Sequence, residues 1–447
     1  MNSRGMGVAH IVAADMGYGH ERPAHSLRHL APSGEGIVVA NNYPGIPSKD
    51  RTLWRRSREF YETVSRSRSV PLIGKYLFEL VDAAQAIPPF YPRRDLSRPT
   101  LQLRQMYAGI RAGLGRHLME KLAQNPLPLV CTFFYVAFMA EEYGYPGDIW
   151  CVTTDADISR AWAPLYPSKS RIRYFAANGR CVERLKLYGV RPENIFLTGF
   201  PLPPEIVDGP SGRLLRQDLL RRLCVLDPQG IFRAHHAPAI SAHLGAGACP
   251  LGRSRRVPHV MFAVGGAGAQ ASLALVVLRS LAGLVRRGAL TLTLMAGARP
   301  ALGARFEEEA KRLRLGSSLG KTLFVRAYKT RRGYFDDFVG RIRETDILWT
   351  KPSELSFYTG LGLPILMAPP LGSQEEYNRE WLSQVGGGVF QADPVYTHEW
   401  LMDWISSGAF ARMAWNGYTE APTHGTYRIE NALAGKRTEV ETLPLIV

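Results

Sequence analysis

Apolar positions along the chain gather into two series of short runs, each opening with an unbroken apolar stretch and a glycine-bearing turn. Residues 8–14 form the first such stretch. Side chains alternate faces along a strand, so a run that is apolar throughout predicts a strand covered on both sides, the condition of a parallel sheet. A polar turn over 15–20 follows, and a helix is expected over 21–30 with Pro23 in its first turn, where a missing N–H removes no bond. Further strands are predicted over 36–40, 129–134, 149–153, 173–176 and 194–197, with helices rich in arginine and aromatic residues between 51 and 121. The second series begins at His259. It carries strands over 260–264, 290–295, 322–325, 347–350 and 364–367, and helices ending near 285 and covering 303–313 and 334–343.

This alternation predicts an α/β protein with two Rossmann-like, doubly wound domains. At 447 residues the chain is too long for one core of ordinary size. The domains are expected at 1–202 and 257–420. Residues 203–256, with repeated Pro and Gly and a helix bearing scattered basic residues near 214–223, are expected to form a linker of otherwise irregular structure, and 421–447 a tail that returns to the N-terminal domain.

An apolar fraction of 46% and an aromatic fraction of 10% exclude long disorder. The net charge of +16, with the excess mostly arginine, favours an anionic partner, because guanidinium groups pair bidentately with phosphates and carboxylates. An arginine-biased surface would give the same balance. Nucleic acid is set aside, since the basic residues are dispersed and no recognition motif is present. The five cysteines stand far apart with no C-x-x-C pair, which indicates neither a zinc site nor a disulfide framework and fits a reducing cytoplasm. No signal-peptide pattern and no run of 18 apolar residues occurs, so membrane contact is expected to be peripheral, on the inner face. Residues 51–68 could dock there through Trp54, Phe60 and Tyr61, or form a solvated helical face.

Four groups of residues carry candidate chemistry. The turn Gly17, Tyr18, Gly19, His20 lets a backbone approach a ligand closely at a helix entrance, where His20 is placed either as a general base toward an acceptor hydroxyl or as a simple cap. Thr153, Thr154 and Asp155 close a strand, with Trp162 beyond them; a carboxylate at a strand's carboxyl end lies on the ligand-binding edge of such sheets, and also suits an N-cap. Gly265, Gly266 and Gly268 precede a helix as a phosphate cradle or an interdomain turn, without the acidic residue that NAD binding requires. Lys351, Ser353 and Glu354 cluster with Gln374, Glu375, Glu376 and Asn378 as donors and acceptors for a ribose diol and a diphosphate. Asp155 and Asp157 are read as strand-end geometry, with no metal site.

On these residues the chain resembles the GT-B glycosyltransferases that include the diacylglycerol sugar transferases and the lipid II-forming N-acetylglucosaminyltransferase. Gly17-Tyr-Gly-His20 is similar to that group's Gly-Gly-Gly-His turn. Thr154-Asp155, Trp162, Ala177-Asn178, Gly189-Val190 and Thr198-Gly-Phe-Pro201 follow in the group's order. Lys351-Pro352, Gly362-Leu-Pro364 and Gln374-Glu375 to Asn378 are similar to its C-terminal motifs. Ser159 stands where a histidine is usual, and the segment 351–362 is about two residues short, so Glu354 takes the place of the usual ribose-binding glutamate.

The resemblance implies two lobes facing across a cleft and a metal-independent transfer from a nucleotide sugar, UDP-linked, to an acceptor hydroxyl that a lipid could supply. It places the acceptor on the N-terminal half, with Gly17, Tyr18, Gly19 and Trp162, and His20 or Asp155 removing the proton. Gly265, Gly266, Gly268, Lys351, Ser353, Glu354, Gln374, Glu375 and Asn378 would bind the donor, and no cofactor is implied. A sugar-nucleotide 2-epimerase and a non-catalytic sugar-nucleotide-binding protein share these features.

Overall fold

The computed structural model describes residues 8–56, 87–245, 256–266, 268, 270–370 and 372–436. They fall into two units: Met1–Pro203 with Leu371–Asn378 and His424–Val447, and Pro204–Pro370 with Arg379–Thr423. Each unit is built on one parallel sheet, and the fold class is α/β with two doubly wound, Rossmann-like halves.

The first sheet holds β1 (His10–Ala13), β2 (Val38–Val39), β3 (Leu129–Cys131), β4 (Ile149–Val152), β5 (Arg173–Ala176) and β6 (Ile195–Leu197), in the order β2-β1-β3-β4-β5-β6. Ile11, Ala13, Val130, Val152 and Phe175 enter one apolar layer. Val12, Leu129, Cys131, Cys151 and Tyr174 enter the other. Both faces are covered, which is why these segments lack polar alternation. The order of strands reverses between β1 and β3, and ligands of open parallel sheets bind outside the carboxyl ends at such a switch point.

The end of the chain belongs to this first unit. Helix Gly425–Leu433 adds Ile429 to the first layer, and Thr426 Oγ1 donates to Leu202 O at 2.5 Å. A Cβ on Gly425 would stand 2.1 Å from Phe200 O, so no other residue fits there without movement.

The second sheet holds β7 (His259–Ala263), β8 (Thr291–Gly297), β9 (Leu323–Ala327), β10 (Ile347–Thr350), β11 (Ile365–Met367) and β12 (Gly388–Phe390), in the order β12-β11-β10-β7-β8-β9. Its switch point lies between β7 and β10. Strand β12 has no counterpart among the expected strands, because Gly388-Val-Phe is too short to show a period.

Several expectations need correction. Residues 203–256 are not an irregular linker as far as they are described: helices Pro204–Val207, Arg213–Val225 and Ile231–Leu244 occupy them. Leu219, Leu223, Phe232 and Ile240 from this stretch join the core of the second unit. The helix expected near 214–223 is present as Arg213–Val225, and the helices on either side of it were not expected. The first helix runs over Tyr18–Ser26, not 21–30, and β3 stops at Cys131 because Phe134–Glu142 is helical. Trp54 does not face an interface; it is buried against Phe133 and Tyr135, with ring centroids at 6.2 and 5.5 Å. Phe60 and Tyr61 lie outside the described residues. Cys131, Cys151 and Cys181 are free, but Cys224 is disulfide-bonded, which removes part of the cysteine argument for a reducing compartment. Its partner is outside the described residues, and widely spaced cysteines give sequence reading no local pattern to detect. No helix among the described residues is long and apolar enough to cross a membrane.

At the start of β7, His259 is buried, with Nδ1 donating to Glu344 O (3.0 Å) and Nε2 accepting from Thr293 Oγ1 (2.8 Å). Burial pushes its pKa down from 6.5 to about 4, against the opposing pull of Asp346. The native state therefore binds fewer protons than the unfolded chain between those values, and stability falls as pH drops from 6.5 toward 4. The loss expected from this group is about 3 kcal/mol. Urea unfolding at pH 7 and pH 4.5 checks it: His259→Gln should flatten the dependence, and an equally steep curve in the variant would refute the assignment.

Candidate functional site

In the first unit, candidate residues collect at the carboxyl ends of β1, β3 and β4, beside the switch point. Gly17 has φ 109°, a conformation strained for any other residue, and turns the chain into helix Tyr18–Ser26. That helix opens without a side-chain cap, so Tyr18, Gly19 and His20 occupy its first turn. His20 is thus inside the helix rather than in the turn before it.

The His20 ring is fixed from several sides. Its Nδ1 lies 2.9 Å from Thr132 O and 3.5 Å from Thr154 Oγ1. A carbonyl oxygen only accepts, so Nδ1 carries a proton, and Nε2 is the nitrogen that holds the lone pair whenever the ring is neutral. Thr132 Oγ1 donates back to His20 O at 2.5 Å. The rings of Phe133 and Trp162 pack at 4.7 and 6.3 Å.

Asp155 is half-buried at the crest of a loop whose neighbours are all tied. Thr153 Oγ1 accepts from Ala177 N (3.0 Å), and Asn178 Nδ2 donates to Ala156 O (2.9 Å). Buried Asp157 receives Arg184 through two bonds of 2.8 and 2.7 Å and Arg180 through one of 3.1 Å. Asn378 closes the set: its Oδ1 accepts from Ala156 N (2.7 Å) and its Nδ2 donates to Asp155 Oδ1 (3.0 Å). Shared partners of this kind fix a side chain's orientation before any ligand arrives.

In the second unit, Gly265, Gly266 and Gly268 follow β7, Lys351 follows β10, and Arg299 follows β8, three strands that are neighbours in the sheet. A Cβ on Gly265 would stand 3.0 Å from Lys351 Cε, so the lysine stem crosses this backbone. Arg299 Nη2 donates to Gly266 O, and a Cβ on Gly268, already at φ 75°, would meet Arg299 Nη1 at 3.0 Å. Helix Ala271–Arg286 then begins without a side-chain cap. An uncapped helix start behind a glycine turn, flanked by two cations, is a place where backbone N–H groups and charge act together on an anion. Gln270 is buried there with Oε1 lacking a hydrogen bond among the described residues.

The structure therefore sorts the candidates by body. His20, Asp155, Gly17, Tyr18, Gly19 and Trp162 belong to the first unit, and so by their contacts do Gln374, Glu375 and Asn378. Asn378, expected to hold the donor, is spent on the Asp155 loop. Gln374 and Glu375 are half-buried on the first turn of helix Ser373–Val385. Tyr18 and Trp162, expected to line the acceptor, are buried, and Trp162 backs the imidazole. Lys351 and Ser353 are partly exposed in the second unit, whereas Glu354 is buried at the start of the 3-10 helix Glu354–Leu361. Sequence reading missed Thr132 and Arg299. The signal for Arg299 was a strand end, Gly297, followed by a cation and Pro300; Thr132 bonds His20 through both its carbonyl and its hydroxyl across 112 positions and gives no local signal. No group of three His, Cys, Asp or Glu placed to hold a metal occurs among the described residues.

No protein-family model matches the sequence, and no curated protein does. Among solved structures, similarity is found to MurG of Acinetobacter baumannii, at 11% identity and TM-score 0.47 over 96% of this chain and 99% of that one. A Staphylococcus aureus MnaA–UDP structure is similar at 11% identity and TM-score 0.46, over 74% and 80% of the two chains. UDP-GlcNAc 2-epimerase of Neisseria meningitidis, bound to UDP-GlcNAc, gives 12% identity and TM-score 0.44, over 82% and 90%. Likeness at this level carries no argument about activity, which has to come from the residues.

Proposed function

We propose that the chain is a metal-independent glycosyltransferase that moves a sugar from a nucleotide-sugar donor, UDP-linked, to an acceptor hydroxyl. What supports the reading is that each sheet carries a different half of the chemistry at its own switch point: an imidazole held by its Nδ1–H on the first, an anion cradle on the second. The donor's diphosphate would be held by the Gly265 to Gly268 turn, Lys351, Arg299 and the N-terminus of Ala271–Arg286, with Ser353 nearby. These groups stabilise the charge that develops as the bond to the sugar breaks. The acceptor oxygen would attack the anomeric carbon while its proton passes to His20 Nε2. Asp155, held by Asn378, would orient the acceptor. A lipid acceptor presented at the inner membrane face remains part of the proposal.

The test is in two steps. Thermal shift against UDP-, GDP- and dTDP-sugars should raise Tm by about 2–4 °C for one nucleotide class at a hundredfold excess over Kd. Product analysis then separates the readings that share a fold. Sugar transfer only when an acceptor is added supports the transferase; an epimerised sugar formed from donor alone would make the protein a 2-epimerase. Binding without turnover over a panel of acceptors would leave a sugar-nucleotide-binding protein, and no shift with any nucleotide sugar would overturn all three.

A further inference from the structure

On the first unit, away from the carboxyl edge that carries His20 and Asp155, a cavity of about 740 Å³ opens among the loops that lead into β5 and β6. Asp95, Ser97, Arg98 and Arg104 line one side and Tyr166 and Lys169 the other, with Tyr107 and Arg111 between them. A volume of this size accommodates a small molecule rather than a single ion.

Its walls are built and its charge is unbalanced. Arg160, buried behind it, cross-links the two sides: Nε and Nη2 donate to Ser97 O (3.0 and 2.7 Å), and Nη1 and Nη2 donate to Ala163 O (2.6 Å) and Pro164 O (3.0 Å). All of these partners are carbonyls, so its charge is not cancelled by a bonded carboxylate. Arg111 is paired with Glu142 at 2.7 Å. Arg98, Arg104 and Lys169 have no side-chain hydrogen bond or ion pair among the described residues. Asp95 is the lining carboxylate, and it is already engaged: it accepts from Ser97 N at 2.8 Å, and these hydrogen bonds, then Arg98 and Arg160, hold its pKa below the usual range.

A neutral donor completes the set. Tyr107 is 4% exposed, and its Oη accepts from Leu165 N at 3.3 Å. Its own O–H has no acceptor among the described residues, although the side chain lines the cavity. A buried hydroxyl proton without an acceptor costs on the order of 1–3 kcal/mol unless something in the cavity accepts it.

We infer that this cavity is a second binding site, independent of the proposed transferase reaction, for a phosphate-bearing anion. Several guanidinium and ammonium donors around one hydroxyl donor match a multiply charged group with several acceptor oxygens. The phosphate is either that of a soluble ligand or that of a lipid headgroup, and Tyr166, which lines the cavity and is 65% exposed, would meet acyl chains.

The experiment uses the full chain at fixed low ionic strength, with two probes. Calorimetric titration with inorganic phosphate reads the soluble source, and co-sedimentation with phosphatidylglycerol against phosphatidylcholine vesicles reads the headgroup. The pair Arg98→Glu with Arg104→Glu should weaken whichever probe binds by about tenfold or more, since two charge-assisted donors become repulsive. The equally charged pair Arg305→Glu with Arg332→Glu, exposed on the second unit, should leave binding unchanged. Phosphate binding lost only in the cavity pair supports a soluble ligand, and vesicle binding lost only there supports a headgroup. Neither probe bound by the unaltered protein, or equal losses in both pairs, would overturn the inference.

Discussion

Replacement of His20 by alanine is expected to lower kcat by about 10²- to 10⁴-fold, the usual contribution of a positioned general base, with the donor's KM little changed. The reason lies in the tautomer. Thr132 O accepts the Nδ1–H hydrogen bond at 2.9 Å, so Nε2 is the nitrogen that can receive a proton when the ring is neutral. Glutamine at this position can still donate an amide N–H to the same carbonyl but cannot accept and carry away a proton. His20→Gln should therefore be as slow as His20→Ala while keeping the fold and donor affinity, a split that isolates a transition-state role. Steady-state kinetics on both variants, beside Asp155→Asn, makes the check. A glutamine variant within about threefold of the unaltered enzyme would transfer the base role away from His20.

The largest expected effect on stability belongs to Arg222. It is fully buried in the second unit, and its guanidinium donates to Thr345 O (2.9 Å), Leu361 O (2.6 Å) and Ile342 O (3.0 Å). These carbonyls close two segments: Ile342 and Thr345 the end of helix Arg331–Glu344, and Leu361 the end of the helix Glu354–Leu361. Burial, followed by the neighbouring Arg221, pushes the pKa of Arg222 down to about 10. Arg222→Met would fill the volume but leave Thr345 O and Leu361 O without this donor, while Ile342 O keeps Thr345 N, with an expected loss of about 2–5 kcal/mol. Arg222→Lys keeps the charge yet cannot fork between three acceptors, so it should recover only part of that loss. Chemical denaturation measures both. A methionine variant within about 1 kcal/mol of the parent would show that water or relaxation satisfies those carbonyls instead.

Much of this architecture was legible because burial on both faces writes parallel strands as unbroken apolar runs. β5 (Arg173–Ala176) and β10 (Ile347–Thr350) match the expected spans to the residue. Of the helices over 204–244 the one near 214–223 was legible, but its place in the core was not, since arginines between the apolar positions of this stretch fold inward: Arg222 and Arg233 are buried by carbonyls and by Asp227, a tertiary fact no local pattern contains. The site was half legible. Chemistry at strand ends was visible, but the partner of each group was not, because His20 with Thr132 and Asp155 with Asn378 are separated by 112 and 223 positions along the chain. Trp162 illustrates the opposite error, where a side chain picked out by its spacing turned out to be packing material.

Glycine at 425 and the helix that follows it have a bearing on how the polypeptide matures during synthesis. Ribosomes deliver the amino terminus first, and an N-terminal Rossmann-like module would ordinarily be finished before the next one emerges. Here one apolar layer of that module waits for Ile429, and the backbone at Phe200 waits for Gly425. The first sheet is thus sealed by residues made long after it, which leaves a nascent chain with an uncovered greasy face until they emerge, and a chaperone is the natural cover for it.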